Sequence, residues 1–200
     1  HAMSPMAFSC VIHSHWTYQP KFQRVVYVYR DGRDVMVSFF FHRMRVIKYH
    51  ANPLWKYHEE QYERLFGKGY DTDDIVGLLP KFIENEFRNP RDCRQTWVQH
   101  VDSWFDSSRK PPQITYVSYE QMLEDPHAHL ARIAGDISDK DIEDWRIKMT
   151  VEKYSMAKQT GRKPGEEKRD DFIRKGIAGD WKNHFSREAA EVFNDLVLVE

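Results

Sequence analysis

Gln23-Arg24-Val25-Val26-Tyr27-Val28-Tyr29-Arg30-Asp31-Gly32-Arg33-Asp34-Val35-Met36-Val37-Ser38 is the stretch from which the fold follows. It opens on a continuous β-branched and aromatic run. Such a run reads as a strand buried on both faces, as in parallel sheets covered by helices on each side. Residues 31–34 form a charged turn. From Val35 to about Ile47 the pattern is helical, with Asp31 or Asp34 near the start, where negative charge suits the helix dipole. Ile114-Thr115-Tyr116-Val117-Ser118, preceded by Pro111 and Pro112, gives a second strand. A helix then opens at Asp125-Pro126, with Asp as N-cap and Pro at the first helical position, and closes near Gly135. Strand–helix alternation of this kind predicts an α/β fold, a parallel sheet flanked by helices.

The rest of the chain fits around these units. Trp97, Val101 and Trp104 make an apolar stripe at helical spacing. Residues 48–94 hold aromatics and charges, with loop signals at Gly67-Lys68-Gly69 and no clear strand, and read as a substrate-side insertion or lid. Residues 159–171 are polar, with Gly161, Pro164 and Gly165, and read as a mobile loop. Ser186 caps a last helix that carries Val192, Phe193, Leu196 and Val197.

Composition bounds the function. The chain has 200 residues, a length that suits a single domain over residues 1–200, and 40% hydrophobic residues, enough for a core. A formal net charge of −1 argues against a nucleic-acid binder. Cys10 and Cys93 are the only cysteines, too few for a disulfide-dense scaffold, so a reducing, cytoplasmic setting is expected. No apolar run approaches the ~18 residues of a membrane span.

Ligands of open α/β sheets sit beyond the carboxyl ends of the strands, where Arg30 lies. Its guanidinium suits bidentate contact with a phosphate, and Ser38 on the following helix adds a hydroxyl donor. The rival reading has Arg30 and Arg33 pairing with Asp31 and Asp34 merely to staple the turn.

Residues 27–38 resemble the 3′-phosphate-binding signature of the sulfotransferases that use 3′-phosphoadenosine 5′-phosphosulfate (PAPS): a strand, an Arg, a short turn, Arg-Asp-Val, and a Ser eight residues after the first Arg. Gly32 stands where Pro or Ala is more usual. Ile12-His13-Ser14-His15 is similar to the family's Lys-Ser-His segment, with His13 in the place of the Lys. Phe172-Ile173-Arg174-Lys175-Gly176-Ile177-Ala178-Gly179-Asp180-Trp181-Lys182 is similar to its Arg-Lys-Gly-x-x-Gly-Asp-Trp-Lys segment, the most specific of the matches. Trp97-Val98-Gln99-His100-Val101-Asp102-Ser103-Trp104 resembles a family helix and reads as mainly structural. Tyr119 falls in a Tyr-Glu-x-Met-like strand end, and Thr150-Val151-Glu152 in a weaker match.

The resemblance implies a fold related to P-loop nucleotide kinases and transfer of a sulfuryl group from PAPS to a hydroxyl or amine on a small-molecule or glycan acceptor, leaving 3′-phosphoadenosine 5′-phosphate (PAP). It implies His15 as general base, and Arg30, Ser38, Tyr119, Thr150, Arg174, Lys175 and Gly176 as nucleotide-binding residues. It implies no metal. Its dimerisation pattern would fall on Lys182, Ser186, Arg187 and Glu191, with Arg187 replacing a Val, so a homodimer rests on a degraded motif. The family's Gly-rich loop for the 5′-phosphosulfate has no match, and Gly161-Arg162-Lys163-Pro164-Gly165 is no substitute. That loop is expected upstream of His1, with little sulfation by these residues alone. The alternative is a non-catalytic PAP-binding domain. A phosphoryl-transferring kinase is disfavoured, since no Walker-type loop is found.

Overall fold

The computed structural model describes residues 12–90, 95–106, 113–138 and 141–199. Cys10, Cys93, Pro111 and Pro112 lie outside the described residues. In chain order the elements are β1 (Arg24–Tyr29), α1 (Gly32–Lys48), α2 (Trp55–Phe66), α3 (Ile75–Arg88), α4 (Trp97–Phe105), β2 (Gln113–Ser118), α5 (Tyr119–Glu124), α6 (Pro126–Ile137), α7 (Asp144–Lys153), α8 (Met156–Thr160), a 3-10 turn (Asp180–Asn183) and α9 (Arg187–Val199).

β1 and β2 pair in parallel, with Tyr27 opposite Tyr116 and Tyr29 opposite Ser118. Parallel neighbours require a long crossover, and α1 to α4 supply it. The register places the two strand ends side by side, so the next residues, Arg30 and Tyr119, become neighbours. The expectation of a strand buried on both faces holds on one side only. Tyr27 is 7% exposed and Val28 is 56% exposed, because among the described residues the sheet has two strands and its faces are unevenly covered.

Local chemistry sets the boundaries. Asp31 is the N-cap of α1, and its carboxylate accepts the Arg33 N–H at 2.9 Å. Asp125 caps α6 by accepting the Ala128 N–H, with Pro126 at the first position, and the helix runs two residues beyond the expected stop. Ser186 accepts the Ala189 N–H at the head of α9. Gly32 is a packing requirement. A Cβ there would lie 2.8 Å from the Trp97 ring and 2.9 Å from Phe193.

Residues 48–90 are not a lid. α2 and α3 pack on α1, and Tyr62, Leu79, Phe82 and Ile83 are among the most deeply buried side chains in the protein. Ile75, Leu79, Phe82, Ile83 and Phe87 form one helical stripe that meets Phe40 and Phe193. α9 packs along α3, which draws the C-terminal segment back over the start of α1. Phe82→Ala removes the ring that both Phe39 and Phe40 meet edge-on. It is expected to cost about 3–5 kcal/mol, read as a lower urea midpoint, whereas Leu54→Ala at an exposed position is expected to stay within about 0.5 kcal/mol.

Candidate functional site

The site begins at Asp34, 1% exposed in the first turn of α1. Its carboxylate accepts the main-chain N–H groups of Gly179 at 2.7 Å and Trp181 at 2.9 Å, and lies 3.3 Å from the Arg30 guanidinium. Arg30 also donates to the Ile177 carbonyl at 3.0 Å and stacks over the Tyr119 ring at 4.3 Å. Its Nε is buried and has no hydrogen-bond partner among the described residues. Burial raises the Tyr119 hydroxyl above its ordinary value, so the ring is a neutral platform under the guanidinium. Arg33 pairs with Asp31 at 2.6 Å and lies 3.8 Å over Trp181. Both ion pairs of the stapling reading, Arg33 with Asp31 and Arg30 with Asp34, are therefore present.

A second buried carboxylate, Asp180, is also 1% exposed. It accepts from Lys175 at 2.6 Å, from Asn183 at 2.9 Å and from Arg174. Burial alone would raise its pKa. The Lys175, Arg174 and Asn183 hydrogen bonds outweigh that and hold the carboxyl well below the usual carboxylate range. Arg174 also pairs with Glu167 and lies 4.2 Å over the Phe41 ring. Gly176 has φ +63°, a conformation that favours glycine, and a Cβ there would meet the Met156 sulfur.

The sequence-derived residues therefore divide. Arg30, Tyr119, Arg174, Lys175 and Gly176 gather around the two buried aspartates. Ser38 is exposed on α1, one turn after Asp34. Thr150 sits on α7, which packs on α6 and α8, and its hydroxyl donates to the Arg146 carbonyl at 2.8 Å. His15 is exposed ahead of β1, with its ring edge-on to His13 at 4.8 Å. The polar segment read as mobile is tied together around Arg162, which donates to the carbonyls of Glu166 and Arg174.

α4 holds the His15 segment and the Arg30 turn at once. Trp97 Nε1 donates to the Arg30 carbonyl at 3.2 Å, and Trp104 Nε1 donates to the Trp16 carbonyl at 3.2 Å. Ser103 Oγ accepts the Tyr18 N–H. His100 meets the Tyr27 hydroxyl at 3.1 Å. Burial lowers its pKa, against opposing hydrogen bonds to the backbone of His15 and Trp16. The aromatic stripe of α4 pointed to packing, and the indole donors add positioning. Asp34 and Asp180 went unnoticed as site residues. Their signal was an acid one turn after Arg30 and an acid inside the Gly-Asp-Trp match.

Glu167, Asp180 and His184 offer oxygen and nitrogen atoms within 4.8 Å of one another, a spacing a cation could use. The donor set fits one poorly, since both carboxylates are already paired with Arg174 and Asp180 also with Lys175. Burial lowers the pKa of His184 despite the neighbouring Asp180. The depressed Asp180 carboxyl stabilises the fold above its unfolded pKa of about 4, and that contribution is lost as the pH falls further. Asp180→Asn is therefore expected to lower the urea midpoint at neutral pH and to flatten its decline between about pH 4 and pH 2, measured by tryptophan fluorescence.

A family model described as the sulfotransferase domain matches residues 2–198. Dog sulfotransferase 1A1 (Canis lupus familiaris) is 31% identical over 180 residues, covering 86% of this chain and 52% of the relative. Rabbit amine sulfotransferase (Oryctolagus cuniculus) is 25% identical over 191 residues, covering 88% and 54%, and human sulfotransferase 1E1 is 27% identical over 180 residues, covering 86% and 52%. The chain thus spans about half the length of these curated relatives. The crystal structure of mouse sulfotransferase SULT7A1 complexed with PAP shares the fold, with a TM-score of 0.59 at 21% identity over 86% of this chain and 56% of that one. With the family model spanning nearly every residue, the chain belongs to the sulfotransferase family.

Proposed function

We propose that this protein binds PAPS through the cluster around Asp34 and Asp180 and transfers its sulfuryl group to a hydroxyl or amine of a small-molecule or glycan acceptor. The observation that carries the nucleotide site is Arg30. Its guanidinium is held by Asp34, the Ile177 carbonyl and the Tyr119 ring, yet its buried Nε keeps an unused donor. Buried polar groups are almost always satisfied, and an incoming anion would satisfy this one. In this reading Arg30, Arg174, Lys175 and the Gly176 backbone take the 3′-phosphate, Ser38 adds a hydroxyl at the rim, and Tyr119 faces the adenine side. Thr150 is a weaker contributor, because its hydroxyl is engaged by its own helix.

Transfer is in-line. His15 takes the proton from the acceptor, the acceptor oxygen or nitrogen bonds to sulfur, and the bond from sulfur to the phosphate oxygen breaks, so that PAP leaves with the electron pair. Cationic side chains neutralise the donor's charge, and no step needs a metal. Mouse SULT7A1, the fold neighbour, is itself complexed with PAP, which supports the nucleotide assignment.

The two halves of the reading separate experimentally. Arg30→Ala is expected to weaken PAP binding by roughly a hundredfold or more in calorimetric titration, and unchanged affinity would show that the nucleotide sits elsewhere. His15→Asn in the full-length protein is expected to keep PAP affinity while turnover with PAPS falls by roughly a hundredfold or more. Retained turnover would remove His15 as the base. PAP binding with no turnover by the wild type, across phenols, alcohols, amines and sugars, would favour a non-catalytic nucleotide-binding role.

A further inference from the structure

Gly161-Arg162-Lys163-Pro164-Gly165 has no part in the nucleotide site as described, yet Arg162 lies directly behind it. The Arg162 side chain is only 16% exposed, low for an arginine in a polar loop. Nη1 donates to the Glu166 carbonyl and to the Arg174 carbonyl, both at 2.8 Å. Nη2 donates to the Asp171 carboxylate at 3.0 Å and to the Ile173 carbonyl. Two main-chain bonds tie the same strip to the loop: Gly165 N–H to the Lys175 carbonyl at 2.8 Å, and Lys168 N–H to the Arg174 carbonyl at 2.9 Å. One planar guanidinium thus grips the peptide groups on both sides of the Arg174 Cα.

We propose that Arg162 is a positioning residue for the 3′-phosphate grip: it fixes the backbone from which Arg174 and Lys175 reach the nucleotide. The inference rests on the assignment of Arg174 and Lys175 to that phosphate. Its physical basis is geometric. An arginine fork offers donors at fixed angles and serves several acceptors in one plane, whereas a lysine of equal charge is a single rotatable point. Holding two cations ready before the anion arrives reduces the ordering cost of binding. Gly161, at φ +72°, ends α8 and starts the turn that sends Arg162 inward, while Gly165, at φ +94°, lets the loop return to Lys175.

The test compares two probes, PAP and adenosine 5′-phosphate, which lacks the 3′-phosphate. The ratio of their affinities reads the grip, and adenosine 5′-phosphate alone reads everything else. Arg162→Lys is expected to lower the ratio about tenfold through weaker PAP binding, with adenosine 5′-phosphate binding unchanged. Asp171→Asn, which loosens one of the guanidinium's partners, is the milder variant and is expected to move the ratio the same way by a smaller factor. A fall in the ratio with Arg174→Ala, but none with Arg162→Lys or Asp171→Asn, would overturn the positioning role while leaving the site assignment intact. An unchanged ratio with Arg174→Ala would overturn the site assignment and this inference with it. An equal loss for both probes with Arg162→Lys would mark Arg162 as generally structural and also overturn the proposal.

Discussion

The rest of the site depends on the buried carboxylate of Asp34. Two main-chain N–H groups, from Gly179 and Trp181, close on its oxygens, and they come from nearly 150 residues further along the chain. A charge taken out of water must find partners or lose its charge. Arg30 is a local partner one turn back, and the two main-chain donors reach Asp34 only when the C-terminal segment folds across the start of α1. The contact joins the strand-end turn that carries Arg30 to the loop that carries Arg174 and Lys175. Packing of α9 on α3 brings the segment close, and Asp34 fixes its register.

Asp180 repeats the device from the other side. Arg30, Arg174 and Lys175 face Asp34, Asp180 and Glu167, so the cations are balanced before any anion arrives. Balance of this kind orients the cations at a cost in free affinity for the proposed phosphate, which would have to compete for groups already paired. The two aspartates are 1% exposed and are held by their neighbours, whereas the Glu167 side chain is 27% exposed. Exposed pairs are weak and screened. In the proposed nucleotide site, Glu167 would therefore be the partner displaced at least cost by the phosphate, with Asp34 and Asp180 keeping the cations aimed.

What could be read in the sequence was local. The β1 run, the Asp31 and Asp125 caps, the Ser186 cap and the spacing from Arg30 to Ser38 each rest on residues within one or two turns of each other. Gly176 was singled out through the resemblance, but its positive φ and the Met156 sulfur beside it were not visible in the sequence. The Asp34 contact was not visible, because nothing near residue 34 reports that Gly179 and Trp181 will arrive. The error over residues 48–94 had a different cause. The stripe of Ile75, Leu79, Phe82, Ile83 and Phe87 was present at helical spacing, but the loop signals at Gly67 and Gly69 drew the reading toward an insertion, and Pro80 lies inside the helix itself. Tertiary packing carried the helix through the proline. The exposure of Val28 shows the converse limit: an apolar run reports what a strand can bury, not what covers it.

α4 sets the scale of the whole arrangement. Trp97 and Trp104 point their indole N–H groups at the Arg30 and Trp16 carbonyls from one face of a single helix. Seven residues at about 1.5 Å each separate these anchors by about 10 Å along the axis. A rigid helix thus spaces the turn proposed to hold the 3′-phosphate from the segment that carries the proposed base. Tyr27 sits between the two anchors, stacked on Trp104 and bonded to His100, so the strand that delivers Arg30 is keyed to the same helix. Transfer chemistry demands that donor and base keep a fixed separation while loops around them vary. In this chain the aromatic stripe that first reads as core packing holds the Arg30 turn and the Trp16 segment, the two parts to which the proposed donor site and base belong, at a fixed spacing.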